Sequence, residues 1–279
     1  MTFERIVKNI DSLPPLSNAA NIIQTLYAGG LENLDVSRLI RVIQSDAMLA
    51  ANILKMINAP YYGFDNRIAS VSQAVSLFGT SKIYMLVIHY AISQQLKADP
   101  SIYGFTNAQF NDVCNLQSAL MLQWYSKVNA RDARFLTPLA LMMESGKLIL
   151  ANEVIKSDYC GEFRKGFNEC ENIQEYEMSL IDMTSYHLSA LLFEHWNLEP
   201  RYVEILKSLD SKEEPEEKDP SKKLRSYKKE LDVIRTAINV KDILSDNSIK
   251  KASNMVNEMG LDAEHFEDVA HKIRKSYIG

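Results

Sequence analysis

Residues Leu139 to Leu150, at the middle of the chain, read Leu-Ala-Leu-Met-Met-Glu-Ser-Gly-Lys-Leu-Ile-Leu, and nine of the twelve are Leu, Ile, Met, Ala or Gly. A helix apolar on nearly every side is buried on nearly every side. Other elements must therefore wrap around this one. Only Glu144, Ser145 and Lys147 bring polar side chains, and Gly146 predicts an end or a bend. The inward positions read as alkyl and thioether groups, which predicts a centre made for packing rather than for bond-breaking.

The rest of the chain offers helices to do the wrapping. Phe3, Ile6, Val7 and Ile10 recur at helical spacing, and Leu13-Pro-Pro-Leu16 ends that first helix. Ser17, Asp35 and Asp46 are placed to cap the next three, with Gly29-Gly30 closing the second. Asn58-Ala-Pro60 stops the fourth, and the loop Tyr61-Tyr-Gly-Phe-Asp65 follows. Ser70 with Gln73 and Thr106 with Gln109 read as capping boxes. A helix over about 132–145 precedes further helices at about 147–157, 158–170, 172–182, 185–197 and 200–209. Residues 210–223 contain no large apolar side chain and predict a charged loop. Helices at about 224–245 and 247–259, and one from Ala263 to about Tyr277, close the chain. No stretch alternates usefully, so the predicted class is all-α.

Composition and spacing exclude several chemistries. The net charge of −5 disfavours a general nucleic-acid binder. No uninterrupted apolar run approaches the roughly 20 residues of a membrane span. Three cysteines with no CxxC pair predict free thiols and a cytoplasmic setting. His187 and His195 are eight apart, roughly 80° off a common face, and cannot chelate together. There is no HExxH, GxSxG or phosphate-binding GxxxxGK pattern. His89 reads as a core-edge residue, and His265 and His271 as residues of a solvated face.

The order Leu13-Pro-Pro-Leu16, Leu39-Ile-Arg-Val-Ile43, Ser45-Asp46, Asn58-Ala59, Tyr61-Tyr-Gly63, Ser70-Val71 and Leu77-Phe-Gly79 resembles the HDOD family, the HD-related output domain of bacterial signalling proteins. Leu141-Met-Met-Glu-Ser-Gly-Lys-Leu148 resembles the family's LLHDIGKL segment, with Met143-Glu144 in place of His-Asp. Gln117 stands where HD phosphohydrolases carry an early histidine, and His187 matches a histidine common in the family. The resemblance leaves the last acidic ligand within Asn239–Asp242. It implies an N-terminal helical subdomain packed against a degenerate HD-like bundle. The HDOD-like domain would span 11–208, its N-terminal part about 11–100 and its HD-like part about 101–208. Residues 209–223 would be a charged loop, and 224–279 helices completing the bundle.

HD enzymes use imidazoles and carboxylates to hold the metal that generates their hydroxide nucleophile. The thioether of Met143 suits such hard-cation sites poorly, and the Gln117 amide is a poor substitute for imidazole. The degenerate positions Gln117, Met143, Glu144 and His187 therefore imply a non-enzymatic regulatory protein with no cofactor, acting through contacts with signalling proteins in motility, stress or second-messenger responses. Tyr61, Tyr62 and Phe64 are candidate partner-binding residues, or else lids over the core. One rival is a metal-dependent phosphohydrolase or phosphodiesterase with a rearranged site. Another is a small-molecule sensor, of nucleotides or cyclic dinucleotides, using the vacated HD pocket between the two helical halves.

Overall fold

The structure, a computed structural model, describes residues 2–28, 34–64, 66–157, 159–210 and 219–278, without the side chains of Phe3 and 219–226. Gly29-Gly30, Asp65 and residues 211–218 lie outside the described residues. The first half comprises α1 (Phe3–Asp11), α2 (Asn18–Ala28), α3 (Val36–Ser45), α4 (Ala47–Ile57) and α5 (Val71–Leu96). The second comprises α6 (Asn107–Val128), α7 (Ala130–Met142), α8 (Ser145–Ile155), α9 (Cys160–Glu169), α10 (Ile173–Ile181), α11 (Ser185–His195), α12 (Pro200–Asp210), α13 (Asp219–Ala237), α14 (Asp246–Glu258) and α15 (Ala263–Ile278). Among the described residues there is no strand, only an isolated bridge between Ile238 and Ile243. The fold is all-α, as the sequence predicts.

Local chemistry starts these helices. Asp35 accepts from Arg38 N–H, Asp46 from Leu49 N–H and Thr106 from Gln109 N–H. Each satisfies a donor that the first helical turn leaves unpaired. At Thr106 the reciprocal bond also forms. At Ser70 it is displaced by one residue, because Gln73 reaches back to Ala69 N–H instead. Asn58 bonds Leu54 O, Ile68 O and Ile68 N–H, so one amide closes the loop from 58 to 68. Gly79, at φ 76° and ψ 162°, breaks α5 into two helical pieces. Its positive φ is readily open to glycine.

The 26 residues of α5 are long and apolar enough by length and composition to cross a membrane, although Ser81, Lys82 and His89 interrupt the apolar run. More than half of that apolar window is buried inside the bundle. The helix here is a core element, packed against α3, α4 and α7. In its middle Lys82 is 6% exposed, and Nζ has no hydrogen-bond partner among the described residues. Nζ lies 4.2 Å from the Tyr62 ring centroid and 5.1 Å from that of Phe78. Burial pushes its pKa from 10.5 down to about 7. Between those values the unfolded chain binds a proton that the folded chain does not, so stability rises with pH from about 7 to 10.5. Lys82→Met is expected to add about 3 kcal/mol at pH 7, after the two ring faces offset part of the burial cost. The gain shrinks toward pH 10. Urea unfolding at both pH values checks this, and a variant no more stable than wild type at pH 7 contradicts it.

In the second half α6 packs on α7, and α11 packs on both α8 and α12. α13 packs on α6 and α7, α15 packs on α6, and α14 packs against α13 and α15. Residues 219–223, predicted as loop, belong to α13, which ends at Ala237 rather than about 245. An Asn239–Asp242 turn and Leu244 at φ 55° carry the chain from α13 to α14.

Candidate functional site

The central segment is two helices, not one bent at Gly146. The break falls at Met143-Glu144, and Gly146 sits in the first turn of α8. A Cβ there would lie 1.9 Å from Ser185 O and 2.7 Å from Ser189 N. Glycine is present because α8 and α11 nearly touch, not because the chain turns. Ser189 Oγ accepts from Gly146 N–H and donates to Met143 O, each at 2.7 Å, which locks the contact.

That approach brings buried polar groups together, correcting the expectation of an alkyl and thioether centre. Glu144 and Lys147 are 0% and 1% exposed. Lys147 Nζ lies 2.9 Å from Glu144 Oε2 and 3.3 Å from Glu177 Oε1, and donates to Ser185 Oγ at 2.7 Å. Glu177 Oε2 accepts from Ser185 N–H at 2.8 Å. Glu144 Oε1 accepts from Gln117 Nε2 at 3.0 Å and from Tyr186 Oη at 3.2 Å. Gln117 Nε2 also donates to Ile238 O, which ties α6 to the end of α13. The Arg235 guanidinium lies 4.8 Å from the Tyr186 ring centroid and pairs with Asp232 at 2.6 Å.

Two carboxylates surround one ammonium in a dry interior. Burial alone would raise the Glu144 pKa, but Lys147, Gln117 and Tyr186 outweigh it and hold the carboxyl below its ordinary value. Burial alone would lower the Lys147 pKa, but Glu144 and Glu177 outweigh it and hold the ammonium well above its ordinary value. Each ion is kept charged by the other.

The predicted site residues separate. Gln117 and Glu144 meet directly, and Met143 beside them is fully buried. His187 does not join them in any hydrogen bond or ion pair. It is part-exposed, and its Nδ1 lies 3.2 Å from Asp210 Oδ2 at the end of α12. Asp242 caps its own turn through Ser245. Sequence reasoning missed Glu177, Tyr186 and Arg235. Glu177 left a signal, since it lies four residues from Ile173 and from Ile181 on the buried face of α10. His89 is buried rather than at the core edge. Its Nε2 faces Asn111, and burial lowers its pKa to about 4. His265 is half-buried against Lys127, while His271 is exposed as expected.

Tyr61 and Tyr62 are 5% and 7% exposed, so they cannot offer their rings to a partner. They are lids. Tyr62 Oη donates to Asn115, and Gln123 holds Tyr61 O. Only Phe64, at 44%, remains exposed, leaning on Phe78 with centroids 5.0 Å apart.

A divalent metal of the HD type needs several converging imidazoles and carboxylates. No group of three or more His, Cys, Asp or Glu side chains meets that need among the described residues. The donors at hand are two carboxylates already paired with an ammonium, one amide and one thioether. They do not fit the metal.

The chain aligns with several solved structures along nearly its whole length. One is described as "Putative phosphohydrolase" from Shewanella amazonensis, at 17% identity and TM-score 0.68, covering 97% of each chain. Another is a "Putative signal transduction protein" from Marinobacter aquaeolei, at 19% identity and TM-score 0.67, covering 98% of this chain and 62% of that one. A virulence factor from Campylobacter jejuni is 22% identical, with TM-score 0.58 and coverage of 98% and 96%. At these identities the likeness shows a shared fold. A search of curated proteins finds no match. The HDOD domain profile matches residues 13–211, and on that match the chain belongs to the HDOD family.

Proposed function

We propose that this protein is a non-catalytic component of signal transduction that works by binding other proteins. The carrying observation is that buried Met143 and Gln117 stand where the resemblance places metal-binding histidines, while the Glu144 carboxylate is already held by Gln117 and Lys147. A cation built into the chain neutralises the carboxylates but carries no water to activate. The Marinobacter relative described as a signal-transduction protein agrees in fold with this reading. Protein contact is supported by large apolar side chains left exposed on the first half, Met48 at 66%, Leu77 at 52% and Phe64 at 44%. Exposed residues of this kind supply anchors for partner proteins.

Purified protein, incubated with manganese, iron or zinc and then desalted, is expected to retain far less than one ion per chain. It is also expected to leave bis-p-nitrophenyl phosphate intact. One retained ion per chain together with metal-dependent hydrolysis, both lost in Glu144→Gln, would overturn the proposal.

A further inference from the structure

A cleft of about 1280 Å³ opens between the two halves of the molecule, away from the buried ion pairs. One wall comes from α2 and α5, the other from the starts of α7 and α12. Among the described residues, Arg131, Arg134 and Arg201 line it against a single carboxylate, Glu199. The lining is thus two charges positive in a chain whose net charge is −5. Among the described residues none of the three guanidiniums has a carboxylate within salt-bridge distance. Unpaired arginines facing one cavity are a recognition set for phosphate, whose oxygens match their fork.

The two walls differ. Arg131 and Arg134 are one turn apart on α7, and Phe135 follows them. The Arg201 guanidinium stacks 4.3 Å from the Phe135 ring centroid. All three basic groups therefore belong to the second half. The opposite wall carries Tyr27 on α2 and Tyr84 on α5, stacked with centroids 4.2 Å apart and planes 21° apart. A ligand spanning the cleft meets flat rings at one end and cations at the other. The first turn of α12 lines the basic end, and its helix dipole adds positive potential there.

We propose that this cleft binds a nucleotide, its phosphates on Arg131, Arg134 and Arg201 and its base against the tyrosine pair. The volume accommodates a mononucleotide or a dinucleotide. An acidic peptide fits the lining less well. Its carboxylates could meet the arginines, as acidic motifs do at Arg clusters, but it brings no flat base to lie against the stacked Tyr27 and Tyr84 rings. Because the two halves meet at the cleft, a bound nucleotide would bear on how they pack, a role that goes beyond protein contact alone.

The test is calorimetric titration of the full chain with GTP, ATP, a cyclic dinucleotide, pyrophosphate, adenosine and a glutamate-rich peptide. At least one nucleotide is expected to bind with Kd below about 100 μM, more tightly than pyrophosphate or adenosine and more weakly as salt rises. Arg131→Ala with Arg134→Ala should weaken it about a hundredfold, and Arg201→Ala about tenfold. These side chains are exposed, so each free variant should keep the wild-type melting temperature. Arg201→Lys, which keeps the charge but loses the planar stack, serves as a second variant. No nucleotide binding at about 1 mM, equal affinity in the arginine variants, or tighter binding of the acidic peptide would each overturn the proposal.

Discussion

Lys147→Met should destabilise the fold by about 3–5 kcal/mol at pH 7, which is what removing one partner of a buried ion pair costs. The ammonium serves two fully buried carboxylates, so its loss leaves both without a counter-charge. The penalty has a distinctive pH dependence. In the wild type the Glu144 pKa is depressed, so its contribution is present above the unfolded carboxylate value and lost as pH falls through the folded value. In the variant a buried carboxylate without its cation takes up a proton, raising its folded pKa. That contribution is present at low pH and lost as pH rises. The gap between the two proteins should therefore narrow from pH 7 to pH 5. Urea unfolding at both pH values reads it directly. A gap under about 1 kcal/mol, or one that does not change with pH, contradicts the ion-pair account. Replacing Glu144 and Glu177 by glutamine in the same chain should recover much of the loss, because no uncompensated charge then remains.

Gly146→Ala should cost roughly 3 kcal/mol, near the upper end for overpacking, because the added methyl meets main chain rather than a flexible side chain. Its Cβ would stand 1.9 Å from Ser185 O and 2.9 Å from Leu188 Cβ. α8 and α11 must separate, stretching the Ser189 hydrogen bonds and the Lys147 bond to Ser185. For a chain of this size the melting temperature should fall by about 10 °C. Gly161 in α9 is the control. A Cβ there meets nothing within 4 Å, so Gly161→Ala should stabilise slightly, in line with helix propensity. Equal behaviour of the two variants in a thermal melt would dismiss the close-approach reading of Gly146.

The features legible in the sequence are local ones. Asp35, Asp46 and Thr106 each accept from the N–H three residues ahead, so residue type and spacing suffice. Asn129 caps α7 in the same way, yet the helix was expected to start at about Asp132, because the apolar periodicity begins only after the cap. The centre was misread for a different reason. Glu144 and Lys147 stand three apart, as a surface pair would, and nothing within a helical turn distinguishes a buried pair from an exposed one. What decides it is Glu177, about thirty residues later. From the sequence Gly146 reads as an end or a bend, because glycine commonly closes a helix. Its reason for being there is the backbone of α11, about forty residues along the chain. The resemblance groups Gln117, Glu144 and His187; Gln117 bonds Glu144, whereas His187 pairs with Asp210.

Several hydrogen bonds of residues 9–24 reach far along the chain. His195 Nε2 donates to Leu13 O, Trp196 Nε1 to Pro14 O, and Gln24 Nε2 to the carbonyls of Trp196 and Asn197. Asn9 donates to Glu153. During translation, then, α1 leaves the ribosome well before α11, the helix on which it seats. Until about residue 197 has emerged, the apolar face of α1 has no α11 to cover it, and a nascent chain stalled before that point offers that face to chaperones.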